Sequence, residues 1–405
     1  MAFAQRSISA GASPGSDPIK VMVVDDAVVI RGLLTRWLGE DKGLKVVGSH
    51  RNGKLAVEDI EKSDPDVVVL DIEMPEMDGM TALPLMLAKK RDLVVIMAST
   101  LTRRNAEISL KALSLGASDY VPKPESTSEV TTSIDFRREL VEKVKALGAR
   151  ARRMRAPART MRAETSAGRV AHPATPATAR PTTDTRASFR GAAAQAAPAK
   201  AALQTRPYSS ARPRILAIGS STGGPQALQE VMKDVGTAMN EVPVVITQHM
   251  PPTFTAILAE HMGKAALRPA KEGVNGEVLQ PGTIYVAPGG KHMSLEKDGS
   301  AVKIVLTDGP PVNFCKPAVD PLFDSVAKVY GSASLAVILT GMGHDGADGV
   351  KSIAAGGGSV ITQDEATSVV WGMPGAAAHT GMCSDILPLK DIGPKIGRVL
   401  KGNTR

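Results

Sequence analysis

Ile215-Leu216-Ala217-Ile218-Gly219-Ser220-Ser221-Thr222-Gly223-Gly224 is a short apolar run that closes in a glycine-rich turn. After the turn, Gln226 to Val235 has the spacing of an amphipathic helix. A strand feeding a helix through glycines is the opening of an α/β unit. Towards the C-terminus, further strand candidates are Val242 to Thr247, Ile284 to Ala287, Lys303 to Leu306, Leu335 to Leu339 and Ser359 to Thr362. Towards the N-terminus the same alternation recurs: Val21 to Val24, Val67 to Leu70, Leu93 to Met97, then Tyr120 and Val121 are separated by amphipathic stretches. Both halves therefore predict doubly wound parallel-sheet α/β domains.

A chain of 405 residues suits two such domains with connecting segments. The net charge of +8 lies in one place: Ala149 to Arg214 holds fourteen Lys or Arg and two acids, so everything outside it is mildly acidic. That stretch is rich in Ala, Pro, Thr and Arg and has no sustained apolar period, which predicts a long disordered linker. The expected organisation is a disordered tail over 1–18, one domain over 19–146, the linker over 147–212 and a second domain over 213–403. The basic charge reads as a solvated tether, with a grip on anionic membrane or acidic partners as the other reading. Apolar runs such as Val67 to Leu70 fall far short of the ~18–20 residues that span a bilayer. The first eighteen residues are rich in Ser, Gly and Ala and lack an apolar core after Arg6, unlike a signal peptide. Cys315 and Cys383 are too isolated for a disulfide framework or a zinc site. Cys315 reads as a packing or loop thiol. These features predict a cytoplasmic protein without membrane insertion.

In doubly wound sheets the ligand site forms at the carboxyl ends of the strands. In the N-terminal half those ends carry Asp25 and Asp26, Asp71, Ser99 and Thr100, and Lys123. Three clustered carboxylates need a cation, and an all-oxygen site suits Mg²⁺. A lysine would supply a point charge to a phosphate on one aspartate, and a strand-end hydroxyl could follow that new charge. Asp25-Asp26, Leu70-Asp71-Ile72-Glu73-Met74-Pro75-Glu76-Met77-Asp78-Gly79 and Lys123-Pro124 closely resemble two-component response-regulator receivers, of flavodoxin-like fold, over residues 19 to about 140. The resemblance implies Asp71 as phosphoacceptor and Asp25, Asp26 and Asp71 as Mg²⁺ ligands. It also implies Lys123 as phosphate contact and Ser99 with Tyr120 as the switch pair. Thr100 adjoins Ser99 and shares its claim, and Tyr120 reads equally as a packing residue.

In the C-terminal half, Gly219 to Gly223 fits the Gly-x-Ser-x-Gly elbow that exposes a central hydroxyl, here Ser221. A tight turn or phosphate cradle would use the same glycines. A hydroxyl nucleophile needs an imidazole to take its proton, and the imidazole needs a carboxylate to hold it. His249, in Gln248-His249-Met250-Pro251, ends the next strand, and Asp345 follows Leu335 to Leu339 in a glycine-rich loop. His292 also follows a strand, His344 is too close in sequence to pair with Asp345, and His379 has no evident partner.

Ile218-Gly219-Ser220-Ser221-Thr222-Gly223-Gly224-Pro225, Gln248-His249-Met250-Pro251, Pro311-Val312-Asn313, Pro317-Ala318-Val319-Asp320 and Leu339-Thr340-Gly341-Met342-Gly343 are similar to the chemotaxis methylesterase family, CheB, over residues 213 to about 400. The resemblance implies a Rossmann-like methylesterase domain with Ser221, His249 and Asp345 as triad. Thr222 and the Met342 backbone N–H would contribute to the oxyanion site, and no cofactor would serve the catalytic domain. It further implies demethylation of glutamyl methyl esters and deamidation of glutamines on chemoreceptors at receptor clusters by the inner membrane. The histidine kinase CheA would be the phosphodonor, and the unphosphorylated receiver would cover the active site. The chain departs from the family pattern at His344 and at Phe314-Cys315-Lys316.

Two other classes fit less well. A dinucleotide-binding oxidoreductase needs a different glycine spacing from Gly219-x-x-x-Gly223-Gly224, and an acid where Gln248 and His249 stand. A response regulator with a nucleic-acid-binding output would need a basic folded domain or a helix-turn-helix, and neither is present.

Overall fold

The computed structural model describes residues 17–123, 134–155 and 203–403. The first unit runs β1 (Ile19–Val24), α1 (Val28–Gly39), β2 (Leu44–His50), α2 (Gly53–Ser63), β3 (Val67–Asp71), α3 (Gly79–Lys89), β4 (Val94–Thr100), α4 (Arg103–Ser114), β5 (Asp119–Lys123) and α5 (Ile134–Arg155). Its strands form one parallel sheet in the order β2-β1-β3-β4-β5. The second unit runs β6 (Ile215–Ser220), α6 (Gly224–Val235), β7 (Val244–Gln248), α7 (Phe254–Ala266), β8 (Ala270–Glu272), β9 (Ile284–Val286), β10 (His292–Asp298) and β11 (Ala301–Thr307). It continues with α8 (Val319–Tyr330), β12 (Ser334–Ile338), α9 (Ala347–Ala355), β13 (Ser359–Gln363), α10 (Met373–His379), β14 (Asp385–Leu387) and α11 (Leu389–Leu400). Its seven-stranded sheet is parallel, in the order β14-β13-β12-β6-β7-β9-β8. Both units have the expected doubly wound architecture.

Burial on both faces explains why these strands are apolar throughout. In β6, Ile215 and Ala217 join one core cluster while Leu216 and Ile218 join another, so alternate side chains point to opposite helix layers. In β1, Val21 and Val23 face one layer and Met22 and Val24 the other. The strand order of the second sheet reverses between β6 and β12. A crevice opens at such a switch point, outside the carboxyl ends of the strands.

Three expectations are corrected. Lys303 to Leu306 forms a strand, but in the antiparallel hairpin β10–β11 rather than in the parallel series. The expected junction at 146 falls inside α5, which continues to Arg155 because Leu147 and Ala151 are buried in the first unit's core. Arg152 and Arg155 also pair with Asp66, each at 2.6 Å. At the far end of the expected linker, ordered structure begins before 213: the Arg206 N–H donates to the Cys383 carbonyl at 2.9 Å, and Arg212 Nε to the Leu400 carbonyl at 2.9 Å. The rest of the segments expected to be disordered, at 1–16 and 156–202, lies outside the described residues.

The two units share one apolar cluster, which runs from Met22 and Leu70 through Tyr120 to Phe254 and Leu400. The Tyr120 and Phe254 rings stack at 4.7 Å with planes 10° apart. Gln226 Nε2, in the first turn of α6, donates to the Leu113 carbonyl at 3.1 Å and to the Ala117 carbonyl at 3.0 Å. Arg103 reaches Glu260 at 2.9 Å across the same seam.

The continuation of α5 is testable. Leu147→Ala in the full chain should remove about 2–4 kcal/mol of stability by chemical denaturation, as for other buried leucines. A loss below about 0.5 kcal/mol, the level of a surface substitution, would put Leu147 outside the core.

Candidate functional site

In the first unit, β1 and β3 are neighbours and β5 lies one strand further on, beyond β4; the ends of these three strands bring Asp25, Asp71 and Lys123 together. Lys123 Nζ lies 2.6 Å from Asp25 Oδ2 and 2.8 Å from Asp71 Oδ1, and all three residues are nearly buried. Carboxylate oxygens of Asp25, Asp26 and Asp71 come within 4.8 Å of one another. Burial raises the Asp71 carboxyl to about 6; Lys123 opposes that rise and the Asp25 charge adds to it. An acid held this high for want of positive charge, beside two more carboxylates, is a donor set that fits a hard divalent cation.

The expected hydroxyls separate in the structure. Ser99 is buried, with its Oγ 3.0 Å from Ser109 Oγ, while Thr100 Oγ1 accepts from Asn105 Nδ2 at 2.8 Å. Tyr120 is buried against the second unit, and Lys143 Nζ of α5 donates to its carbonyl at 2.6 Å.

In the second unit, β12, β6 and β7 are consecutive neighbours, and their ends carry Asp345, Ser221 and His249. Gly223 makes the turn after Ser221 with a φ of 74°, a left-handed conformation that glycine adopts without steric cost. The Ser221 carbonyl accepts from the Gly224 N–H at 2.7 Å and from Gln248 Nε2 at 2.9 Å, which ties the turn to the end of β7. Gly341 passes so close that a Cβ there would lie 2.9 Å from Ser221 Cβ.

His249 Nε2 lies 2.7 Å from Asp345 Oδ2. The same carboxylate accepts the Val319 N–H at 2.6 Å, the Asp320 N–H at 3.2 Å and Asn313 Nδ2 at 3.1 Å. The first two donors are the N-terminus of α8, where unpaired N–H groups and the helix dipole favour an anion. Burial works against the Asp345 charge, but these partners outweigh it and hold the carboxyl below its ordinary value. Burial likewise opposes charge on His249, and Asp345 and Cys315 together override it, raising the imidazole well above its usual range. Asn313 also donates to Asp320 at 2.8 Å, and burial beside Asp345 raises the Asp320 carboxyl.

Of the predicted triad, His249 and Asp345 are joined directly. The second ring nitrogen, Nδ1, lies 3.3 Å from Cys315 Sγ, and among the described residues no hydrogen bond links Ser221 Oγ to the ring. Thr222, next to the serine, is buried with an Oγ1 that finds no partner among the described residues. Met342, beyond Gly341, is half-buried on the β12 side. Of the other histidines, His292 is consumed structurally, by the Pro310 carbonyl at 3.0 Å and the Ala318 N–H at 3.2 Å. His344 and His379 are exposed. Asn313 and Asp320, which hold Asp345, lie in the Pro311-Val312-Asn313 and Pro317-Ala318-Val319-Asp320 segments, whose residues carry no periodic or catalytic signal for that contact.

The first unit covers this crevice. The Arg138 guanidinium of α5 lies 4.5 Å over the Phe314 ring, and Val369 and Val370 of the second unit pack against the cluster that contains α5. Val370 is itself bonded to the serine's neighbourhood, its carbonyl accepting the Gly341 N–H at 3.0 Å.

Residues 216–396 match the CheB methylesterase family and residues 21–135 the response regulator receiver domain. The chain is 55% identical, over 100% of its length and 99% of the relative's, to the protein-glutamate methylesterase/protein-glutamine glutaminase of group 2 operon of Bradyrhizobium diazoefficiens. It is 51% identical to protein-glutamate methylesterase/protein-glutamine glutaminase 1 of Rhodospirillum rubrum, over 94% of this chain and 95% of the relative. Against the crystal structure of the Thermotoga maritima CheB methylesterase catalytic domain it is 38% identical, with a TM-score of 0.45, over 46% of this chain and 98% of that one.

The raised Asp71 carboxyl sets a pH dependence. A carboxyl whose folded value exceeds its unfolded one stabilises the fold while protonated, and that contribution is lost as pH rises from about 4 through about 6. Asp71→Asn, which cannot ionise, should therefore gain on wild type between pH 4 and pH 7, by on the order of 2 kcal/mol in thermal or chemical unfolding without added divalent cation. Millimolar Mg²⁺ at pH 7 should raise the wild-type midpoint and affect the variant less. A pH-independent difference between the two proteins would refute this.

Proposed function

Because the chain belongs to the protein-glutamate methylesterase/protein-glutamine glutaminase family, with a response-regulator receiver ahead of its CheB methylesterase domain, we propose that it hydrolyses glutamyl methyl esters and selected glutamine amides of chemoreceptors through Ser221, under control of phosphorylation at Asp71. The observation that supports this reading is the His249–Asp345 pair, carried past the ends of strands that flank the one leading into Ser221.

Ser221 Oγ attacks the side-chain carbonyl and His249 takes its proton. Asp345, charged and clasped by α8, holds the ring and stabilises the imidazolium. Methanol or ammonia leaves from a tetrahedral intermediate whose oxyanion is met by Thr222 and the Met342 N–H. Water then attacks the acyl-enzyme and releases glutamate. Removing one oxyanion donor in such sites costs roughly 3 kcal/mol. The protonated tendency of His249 and its contact with Cys315 describe a resting arrangement, from which the ring turns toward Ser221 before it can act as a base.

Control follows from the shared apolar seam. Asp71, with Asp25 and Asp26, would hold Mg²⁺, which supplies charge neutralisation for phosphoryl transfer from a histidine kinase. Lys123, which reaches Asp71 at 2.8 Å, would meet the transferred phosphate, and Ser99 would follow it. Tyr120, stacked on Phe254, ties that change to the docking face. Loss of the stack frees α5 from Phe314, Val369 and Val370 and opens the crevice, giving sensory adaptation at receptor clusters. No helix of the described residues is long and apolar enough to cross a membrane.

The test is methanol release from methyl-labelled receptor. Ser221→Ala should lower the rate by about 10³-fold or more, and an unaffected rate would sink the reading. A small-molecule phosphodonor with Mg²⁺ should activate wild type and leave Asp71→Ala unchanged. Gln226→Ala removes two hydrogen bonds from the seam, at roughly 1 kcal/mol each. It should raise the unphosphorylated rate severalfold and shrink the gain from phosphodonor; an unchanged basal rate would argue that this face does not restrain the enzyme.

A further inference from the structure

The proposed hydrolysis makes no use of Cys315, yet its sulfur is the group that occupies His249 Nδ1, at 3.3 Å. The other ring nitrogen is held by Asp345 at 2.7 Å. A thiol against an imidazole that is itself oriented by a carboxylate has the nucleophile, base and orienting group needed to activate sulfur. The thiolate is the reactive form of a cysteine, and a base within reach of the sulfur can generate it.

The backbone that presents this thiol is strained. Val312 and Cys315 exchange backbone hydrogen bonds of 2.8 and 3.1 Å around a two-residue turn. Both central residues are left-handed, Asn313 with a φ of 51° and Phe314 with a φ of 65°. Asparagine tolerates this conformation, whereas a phenylalanine there is uncommon and strained. The turn is anchored through Asn313 to Asp345 and Asp320, so the carboxylate that orients the ring also fixes the loop carrying the sulfur. Cys315 is half-buried beside Phe314, which is 79% exposed. Cys383 is its opposite: it is fully buried near the Ala377 carbonyl, and burial pushes its thiol up to about 12.

We propose that Cys315 is a thiol modification site for peroxide-class oxidants, and that its oxidation withdraws His249 from Ser221; the second half rests on His249 being the base of the hydrolysis. The imidazole takes the thiol proton, and the thiolate attacks one peroxide oxygen. An S–O bond forms as the O–O bond breaks, sulfur is oxidised by two electrons, and the departing hydroxide recovers the proton from the ring and leaves as water. The sulfenic acid carries an oxygen where sulfur and ring already touch. The new hydroxyl pins the ring in its resting place, so Nδ1 is unavailable to Ser221. A dithiol reductant restores the thiol, releasing water and becoming a disulfide.

The experiment treats the full-length protein with submillimolar hydrogen peroxide in the presence of dimedone, maps the adducts by peptide mass spectrometry and follows ester hydrolysis in parallel samples without dimedone. The expected adduct is on Cys315 and not on Cys383. His249→Gln should slow its formation about tenfold, with Cys383, reachable only if the domain opens, as the folding control; should that variant open, His249→Asn takes its place. Wild type should lose at least about fivefold in hydrolysis, recovered by dithiothreitol, while Cys315→Ser and Cys315→Ala each keep their own untreated rate. Absence of the adduct, or equal labelling of both cysteines in the folded protein, overturns the modification site. A Cys315 adduct without loss of hydrolysis overturns its control of the base. Should Ser221→Ala leave hydrolysis intact while the His249-dependent adduct still forms, the reading of the hydrolase fails and the thiol site stands.

Discussion

The Asp345 carboxylate is the point on which the catalytic unit turns. It takes four donors at once: the His249 ring, two N–H groups at the start of α8 and the Asn313 amide. Each comes from a different stretch of chain or from the end of a helix, so one buried charge fixes the positions of β7, α8 and the 312–316 turn together. A buried anion is stable only when its hydrogen-bonding capacity is filled, and a missing partner leaves a charge that the interior penalises. The glycines around it follow from the same crowding: Gly341 lies where a side chain would press on Ser221.

Charge is used differently in the receiver. Its cluster has three carboxylates and one close lysine, and the Asp71 carboxyl rises because burial is not fully compensated. One site is saturated with donors and keeps its shape; the other lacks positive charge and is poised to accept it as a cation. The apolar seam at Tyr120 and Phe254 sits between them. Phe254 opens α7, separated by two residues from the Gln248-His249-Met250-Pro251 segment, so Tyr120 of the first unit touches the helix that follows His249.

Much of this was legible in the residues. Four-residue apolar runs such as Val67 to Leu70 mark strands buried on both faces, and the polar residues that stop those runs are the ones a parallel sheet gathers at one edge. That is why Asp25, Asp71, Lys123, Ser221, His249 and Asp345 could be named from spacing and family resemblance together. What stayed hidden depends on contacts between loops. β2, β8 and β14 are short or only half-buried and leave weak periodic signals, and β11 alternates like any strand while pairing outside the main sheet. The end of α5 is set by Asp66, far away in sequence, so composition alone placed the boundary too early. Asn313 and Cys315 meet Asp345 and His249 only because a left-handed turn carries them there.

The continuous cluster from Met22 to Leu400 also bears on how the molecule comes apart. Two sheets with separate hydrogen-bond ladders would ordinarily melt as two blocks, each at its own temperature. Here neither can open without stripping Tyr120 from Phe254 and exposing both rings to water. Cooperativity therefore extends across the seam: while the units remain docked, heat meets a single thermodynamic block with two sheets in it, and undocking is the step that divides that block in two.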